Sequence, residues 1–216
     1  MSMRDQLRHL PVLAGPLPAF DVAAVPAEPI ALFADWLTEA IAAGVVEPHA
    51  MTLSTVDTEG QPDARVLILK DLDADGWHYA TASTSTKGRQ TAANPRVALS
   101  FHWREQGRQV RVRGQARPAD PQTNREDFLA RPQGSRIASL TGRQSSILAD
   151  RETLIRALER ARARLADNPD LVAEDHTVYV VRPDAVEFWQ GDAERQHLRL
   201  RYRRNDGGWL HELLWP

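Results

Sequence analysis

Hydrophobic residues recur at helical spacing in the segment that begins at Pro29. The apolar side chains stand three or four positions apart, at Ile30, Phe33, Leu37 and Ile41, and Gly44 follows them. This spacing places them on one face of a helix, which a proline can begin and a glycine can end. The pattern therefore predicts an amphipathic helix after Pro29.

Three later segments carry helix signals of other kinds. Residues 85–94 form a short candidate helix that Pro95 ends, and Asp120 stands as an N-cap before Pro121. Asp150 precedes a longer segment whose apolar residues keep helical spacing, at Leu154, Leu158, Ala161 and Leu165. Helices are therefore expected to interrupt the strands in the second half of the chain.

Elsewhere apolar and polar residues alternate with a period of two. This alternation predicts half-buried strands over residues 51–56, 77–81, 97–103, 110–117, 177–181, 185–190, 198–203 and 209–214. Residues 64–70 differ, because four successive aliphatic residues stand between Arg65 and Lys70. Such a run is typical of a strand covered on both faces, so it is predicted to be a central strand.

Short turns join most of the predicted strands. No strand is followed regularly by a crossover helix, which disfavours a parallel sheet and favours an α+β fold with an antiparallel barrel core. Residues 1–28 are rich in proline and are expected to form an N-terminal arm. Residues 29–216 are expected to form one domain, which includes the C-terminal region.

Composition removes several classes of site. The chain of 216 residues has no cysteine and a formal net charge of −2, which argues against thiolate chemistry and against a protein whose main task is to bind nucleic acid. The seven histidines are scattered and form no metal-binding spacing, so no metal is expected. Glycine-rich phosphate motifs, a bilayer-length apolar run and a signal-peptide core are also missing, and a cytoplasmic location is expected.

The candidate chemistry lies in cations on strands and at a helix start. Only two of the 27 basic residues are lysines, Lys70 and Lys87, and each ends a motif suited to anion binding. Lys87 follows Ser85 at a predicted helix N-terminus, where backbone N–H groups favour phosphate.

Several segments, in this order, together resemble the pyridoxamine 5′-phosphate oxidase family. They are Arg65–Lys70, Ser85–Gly88, Arg108–Val110, Arg131–Pro132, Gln144–Ser146, Glu187–Gly191 and Arg195–Arg199. The resemblance implies a Greek-key split β-barrel with flanking helices that binds flavin mononucleotide (FMN) and works as a homodimer.

The resemblance also implies the flavin contacts. Arg65 and Lys87 would bind the FMN phosphate, with Ser85 and Thr86 beside them. The strand residues Val66, Leu67, Ile68, Leu69 and Lys70 would lie along the flavin ring. Further contacts are implied for Thr81 and Gln109, and four residues would come from the partner subunit: Gln144, Ser145, Trp189 and Arg199.

For the substrate, the resemblance implies contacts from Lys70, Arg131, Ser135, Arg195 and His197, and a tyrosine whose position Asp127 occupies here. Arg131 and Ser135 are four residues apart, which predicts one helical turn and a shared phosphate. Arg195 and His197 are the implied catalytic pair and are expected to point to the same side of an extended segment. The implied reaction is oxidation of pyridoxamine or pyridoxine 5′-phosphate to pyridoxal 5′-phosphate by O2, with hydrogen peroxide as product.

The sequence departs from the family pattern chiefly in its substrate half. Asp127 replaces the usual tyrosine, and the usual Trp-Gly-Gly stretch is absent around residues 176–178. Ala80, Thr86, Gln196 and Leu198 also differ from the pattern. Two alternatives therefore stay open: an FMN-dependent oxidase with another substrate, such as a phenazine or other secondary-metabolite precursor, and a non-catalytic flavin-binding module.

Overall fold

The computed structural model describes residues 1–216, in which six α-helices accompany one nine-stranded sheet. The helices are α1 (Met3–Arg8), α2 (Pro29–Ala42), α3 (Thr86–Ala93), α4 (Pro121–Ala130), α5 (Gln133–Ser139) and α6 (Arg151–Asp167). The strands are β1 (Ala50–Val56), β2 (Pro62–Ile68), β3 (Asp71–Asp73), β4 (Gly76–Ala82), β5 (Arg96–Trp103), β6 (Arg108–Pro118), β7 (His176–Gln190), β8 (Leu198–Asn205) and β9 (Gly208–Leu213). The α+β class predicted from the sequence is confirmed.

The strands follow the order β2-β1-β5-β6-β7-β4-β3, and β8 pairs with both β7 and β9. Antiparallel registers place Thr81 opposite Thr177 and Trp189 opposite Arg199. No helix combines the length and the apolar run that a bilayer crossing requires.

The chain divides into two compact units. The first comprises residues Met1–Met51, Leu99–Arg113 and Asp184–Pro216, and the second comprises Thr52–Ala98 and Gly114–Pro183. In the first unit, the buried aromatic rings of Phe33 and Phe101 lie 4.7 Å apart, and those of Trp36 and Phe188 lie 5.2 Å apart. Helix α2 supplies two of these rings, Phe33 and Trp36, and they hold it against the strands. The predicted apolar face is only partly correct, because Trp36 lies outside it and Ile41, which belongs to it, is 61% exposed.

Arg108 is a fully buried cation in the first unit. Its Nε donates to Gln190 Oε1 at 3.0 Å, its Nη1 donates to Glu39 at 2.5 Å, and its guanidinium lies 4.2 Å from the Trp36 ring centroid. A buried charge is costly unless it is paired, and these contacts meet that requirement. They fix α2 to β6, which begins at Arg108, and to β7, which ends at Gln190.

In the second unit, α4, α5 and α6 share a core. Its buried members are Phe128, Ile137, Leu140, Ala161, Leu165 and Ala173. Helices α4 and α6 begin where the sequence predicted, because the Asp120 side chain accepts from Thr123 N and the Asp150 side chain accepts from Thr153 N.

Two strand predictions are wrong. Residues 64–70 do not form a central strand: β2 is the first strand in the sheet order, and Val66 is 66% and Ile68 38% exposed. A run of aliphatic residues shows that both faces of a strand are apolar, but it does not show that other parts of the same chain cover both faces. In this strand the face that carries Val66 and Ile68 is left exposed. The two strands predicted over 177–181 and 185–190 are one strand, β7, which continues through Pro183. A Cβ at Gly114 would collide with the backbone at Arg182 and Pro183, so glycine permits this close approach.

The N-terminal arm contains a helix that the sequence pattern did not predict. Ser2 and Asp5 form a reciprocal capping box at the start of α1, and none of the residues of this helix is buried. The short strand β3 and the helix α5 were also missed, because elements of three to seven residues carry too little periodicity to be recognised.

We expect Leu165→Ala to lower the free energy of unfolding by about 2–5 kcal/mol, because Leu165 is buried in the core that α4, α5 and α6 share. Ile155→Ala on the exposed face of the same helix is the matched control, and its cost should stay below about 1 kcal/mol. Urea unfolding followed by circular dichroism measures both values. Equal losses in the two variants would contradict this description of the core.

Candidate functional site

The N-terminus of α3 carries the first group of predicted site residues. The Ser85 side chain is the N-cap: its Oγ accepts from Gly88 N at 3.2 Å and donates to Ala82 O at 2.7 Å. A Cβ on Gly88 would collide with the carbonyl oxygens of Ala82 and Ser83, so only glycine fits there. The chain thus folds tightly around the N-terminus of a helix, whose dipole favours an anion.

Lys87 is the buried cation of this group. It is 9% exposed, and its ammonium makes no hydrogen bond or ion pair within the chain. Burial lowers the pKa of Lys87, the neighbouring positive charge of Arg65 lowers it further, and Asp63 opposes both effects. Two cations therefore lie close together at the start of a helix, with one exposed carboxylate as their counter-charge.

Arg65 is held by β1 and α3. Its Nη1 donates to Thr55 Oγ1 at 2.7 Å and to Leu53 O at 3.3 Å, its Nη2 donates to Gln90 Oε1 at 3.4 Å, and it forms an ion pair with Asp63. Sequence analysis did not select Thr55, Gln90 or Asp63. Thr55 had a usable signal, because it is a polar residue on the buried, apolar side of the alternating strand β1.

The predicted ring-contacting residues lie on an open edge of the sheet. Val66, Leu67 and Ile68 belong to β2, which pairs only with β1 along the sheet order, while Leu69 is buried. An end strand has backbone N–H and C=O groups free to bind another partner. Apolar side chains therefore stand on an end strand, and just beyond it the backbone N–H of Lys70 donates to His78 O of β4 at 2.8 Å.

Gln144 and Ser145 contact the first group of residues within the same chain. Gln144 Oε1 accepts from Thr81 Oγ1 at 3.2 Å, and Ser145 Oγ accepts from Thr86 N at 3.3 Å. Ser145 has a positive φ of 71°, so the loop turns sharply at that residue. Thr81, Ser85, Thr86, Gln144 and Ser145 thus form one connected polar group.

Lys70 lies in a second polar cluster of the same unit. Its Nζ is 3.0 Å from Asp127 Oδ1, and Asp127 Oδ2 is 2.7 Å from His176 Nε2. Burial raises the pKa of Asp127, but the hydrogen bonds from His176 and Lys70 outweigh it and hold that pKa below the ordinary value. Asp127 is therefore a paired, ionised carboxylate, and sequence analysis did not select its partner His176.

Arg131 and Ser135 do not lie in one helix, so the prediction that they are separated by one helical turn is wrong. Arg131 is the C-cap of α4 and has an extended ψ of 149°, because a proline follows it. That proline, Pro132, is the N-cap of α5. Arg131 Nη1 donates to Ser139 Oγ at 2.8 Å and lies 3.4 Å from His176 Nδ1. The structure thus brings Arg131 to the cluster of Lys70, Asp127 and His176, while Ser135 is a half-buried residue of α5.

The first unit holds the predicted catalytic pair. His197 Nδ1 accepts from Asp192 N at 3.0 Å, and the His197 ring lies 5.0 Å from that of Trp189. Arg195 is exposed with a positive φ of 66° and lies in a turn, so the expectation of an extended segment with both side chains on one side is wrong. A turn that Asp192 stabilises replaces the strand there, because Asp192 Oδ1 accepts from the backbone of Glu194 and Gln196.

Arg199 and Gln109 also lie in the first unit. Arg199 Nε donates to Glu187 Oε1 at 3.0 Å, its Nη1 donates to Trp215 O at 2.8 Å, and Arg111 pairs with the other oxygen of Glu187 at 2.5 Å. Gln109 is a half-buried residue of β6. The predicted flavin residues are thus divided between the two units.

Comparison with known sequences supports the resemblance. The family model for pyridoxamine 5′-phosphate oxidase matches residues 37–165, and that for the pyridoxine 5′-phosphate oxidase C-terminal dimerisation region matches residues 176–216. A pyridoxine/pyridoxamine 5′-phosphate oxidase of Pseudomonas paraeruginosa is 42% identical over 193 residues, which is 88% of this chain and 90% of that protein. One of Pseudomonas putida is 41% identical over 196 residues, covering 90% and 91%.

Solved structures agree with the fold. PhzG from Burkholderia lata, in complex with tetrahydrophenazine-1-carboxylic acid, superposes with a TM-score of 0.88 at 32% identity over 94% of this chain and 100% of that one. A pyridoxamine 5′-phosphate oxidase-related, FMN-binding protein of Nostoc punctiforme gives a TM-score of 0.70 at 18% identity over 88% and 98%. The predicted antiparallel split-barrel fold is confirmed, and the chain belongs to the pyridoxamine 5′-phosphate oxidase family.

Proposed function

We propose that this protein is a homodimeric, FMN-dependent oxidase that transfers two electrons from a small ring-bearing substrate to O2. The observation that carries the proposal is the buried residue Lys87, whose ammonium forms no ion pair and which lies beside Arg65 at the start of α3. FMN, when bound, supplies the redox chemistry by accepting two electrons from the substrate and passing them to O2.

The donor set fits the phosphate of FMN. A phosphate dianion needs several charged or polar donors, and Arg65, Lys87 and the N-terminus of α3 offer a guanidinium, an ammonium and the positive end of a helix dipole. An anion there also offsets the burial and the repulsion by Arg65 that lower the pKa of Lys87. With a neutral ligand, the single carboxylate of Asp63 would remain the counter-charge of both cations, which favours a ligand that ends in a phosphate.

The edge of β2 fits a flat ring with a polar rim. Its exposed apolar side chains, Val66 and Ile68, offer surface to a ring or to a partner subunit, and its free backbone groups offer hydrogen bonds to polar ring atoms. Lys70 follows the strand and supplies a positive charge there. These groups would orient the ring and exclude water from it.

The proposed dimer rests on the match of residues 176–216 to a dimerisation region. Within that region, the family resemblance assigns Trp189 and Arg199 to the flavin of the opposite subunit. The same assignment was made for Gln144 and Ser145, which contact Thr81 and Thr86 of their own chain here. We therefore propose that Arg199 and Trp189 are the residues for which the partner subunit is needed.

The first candidate substrates are pyridoxine and pyridoxamine 5′-phosphate, supported by the names of relatives that are 41–42% identical. Oxidation of the alcohol by O2 gives pyridoxal 5′-phosphate and H2O2. Oxidation of the amine consumes one water as well and gives pyridoxal 5′-phosphate, NH3 and H2O2. In this proposal Arg195 and His197 orient the carbon that loses hydride, while Lys70, Arg131 and Ser135 bind the phosphate.

The second candidate is an oxidase of the same type whose substrate lacks a phosphate. The pairing of Asp127 with Lys70 favours it, because a carboxylate already occupies one cation of the expected phosphate pocket. The relative PhzG, whose ligand is a tricyclic carboxylic acid, also supports this candidate. A non-catalytic flavin-binding module is the third possibility, and an assay for peroxide separates it from both oxidases.

The purified protein should be yellow, and denaturation should release FMN, identified by chromatography against riboflavin and FMN standards. Aerobic incubation with pyridoxine or pyridoxamine 5′-phosphate should yield equal amounts of pyridoxal 5′-phosphate and peroxide if the first candidate is correct. Bound FMN without peroxide from either compound would remove that candidate. A colourless protein that does not bind added FMN would contradict the whole proposal.

Replacing Lys87 or Arg65 by alanine should weaken FMN binding about 10- to 100-fold, because each removes one charge-assisted hydrogen bond. Riboflavin, which lacks the phosphate, should bind these variants and the wild type alike. Arg89→Ala is the matched control, since Arg89 is an exposed cation on the same helix. Quenching of flavin fluorescence measures all of these affinities, and a parallel loss of riboflavin binding would mean that the helix, not the phosphate contact, had been damaged.

Mixed dimers of Lys87→Ala and Arg199→Ala chains should recover flavin sites that neither variant forms alone. Suppose that Lys87 of one subunit and Arg199 of the other contact the same flavin. Random mixing then makes half of the dimers mixed, and each mixed dimer has one intact site out of two, so about a quarter of the wild-type sites are restored. Co-expression with two affinity tags and flavin titration tests this. Recovery of no sites would place Arg199 outside the partner's flavin site.

A further inference from the structure

Two departures from the family pattern contact one another in the structure. Asp127 stands where the family usually has tyrosine, and His176 stands in the stretch where the usual Trp-Gly-Gly is absent. They are 49 residues apart in sequence, yet His176 Nε2 lies 2.7 Å from Asp127 Oδ2. They therefore form one feature of the substrate half, built from β7 and α4.

This pair is buried and fixed in position. The side chain of His176 is 3% exposed and that of Asp127 is 16% exposed. A neutral ring with its proton on Nε2 satisfies both contacts of His176, since Nε2 then donates to Asp127 and Nδ1 accepts from Arg131 Nη1 at 3.4 Å. The ring of Phe128 packs edge-on against that of His176 at 5.1 Å and restrains it further.

Asp127 acts on both cations that the proposed function assigns to the substrate anion. Its Oδ1 is 3.0 Å from Lys70 Nζ. Burial lowers the pKa of Arg131, and the negative charge of Asp127 opposes that change, so the carboxylate also stabilises the charge of Arg131. With Lys70 and Arg131 positive and Asp127 negative, the cluster carries one net positive charge where a tyrosine would leave two.

We infer that the Asp127–His176 pair makes this pocket select a substrate anchored by a singly charged group, an aromatic carboxylate, over one anchored by a phosphate dianion. This inference rests on the proposed function, in which Lys70 and Arg131 bind the substrate's anion. A phosphate on Lys70 would lie within a few ångströms of Asp127, in a half-buried site where like charges repel strongly. A carboxylate matches the net charge of the cluster and meets less repulsion.

The test uses two probes that differ only in the anchoring group, 1-naphthoate and 1-naphthyl phosphate. At pH 8 the phosphate is a dianion and the carboxylate a monoanion. Equilibrium dialysis against the FMN-loaded protein gives the dissociation constant of each, and their ratio removes the shared contribution of the ring. We expect the wild type to bind naphthoate more tightly.

Asp127→Asn and Asp127→Tyr should both shift this ratio toward the phosphate by about tenfold or more, because both remove the carboxylate charge. Glu126→Gln removes the same charge from an exposed neighbour on α4, and it should leave the ratio unchanged. Circular dichroism establishes which variants fold. If Asp127→Asn does not fold, Asp127→Tyr, which installs the usual family residue, gives the same comparison.

An unchanged ratio in the folded variants would overturn the inference, as would a wild type that prefers naphthyl phosphate or that binds neither probe. These outcomes are separate from failure of the proposed function, which shows as a protein without FMN or without peroxide production. In a protein that binds FMN, the ratio of probe affinities can be measured by dialysis whether or not peroxide is produced.

Discussion

The burial of the Lys87 ammonium beside Arg65, without an anion of its own, is the constraint around which the second unit is organised. Such a pair of like charges costs free energy in the free chain, and burial and the neighbouring guanidinium accordingly lower the pKa of Lys87. The Ser85 cap, the glycine at position 88 and the hydrogen bonds that fix Arg65 to β1 all maintain this arrangement. A costly charge pair at a helix N-terminus favours the binding of an anion, and the flavin phosphate of the proposed function would supply one.

The position of β2 at the end of the sheet order also favours the binding of a partner or ligand. An aliphatic end strand with free backbone groups is a liability for an isolated protein, since it can pair with any exposed strand. Here the charged pair lies beside that edge, because Arg65 itself belongs to β2. The cation pair favours a ligand with a phosphate, and the open edge favours a ligand with a flat, polar-rimmed ring. A single ligand that has both groups fits both sites, so the two features support one function.

The residues proposed to bind the substrate differ in net charge from those proposed to bind the flavin phosphate. Arg65 and Lys87 keep the family pattern and form a strongly positive site, whereas Asp127 and His176 depart from it and reduce the positive charge around Lys70. In the proposed function, the charge of the substrate pocket can therefore change without altering the cofactor site, because the charges proposed to bind the cofactor and those proposed to bind the substrate belong to different clusters.

The sequence by itself determined most of the local elements and the residue types of the proposed cofactor site. Helix caps at Ser85, Asp120 and Asp150 were predictable because a cap acts over three residues, and the motif from Arg65 to Lys70 was recognisable because its residues are contiguous. Only the tertiary structure decided that β2 lies at the end of the sheet, that Thr55 and Gln90 support Arg65, and that residues 195–197 lie in a turn. It also decided that His176 meets Asp127, because ionic and hydrogen-bonded partners far apart in sequence leave no periodic pattern along the chain.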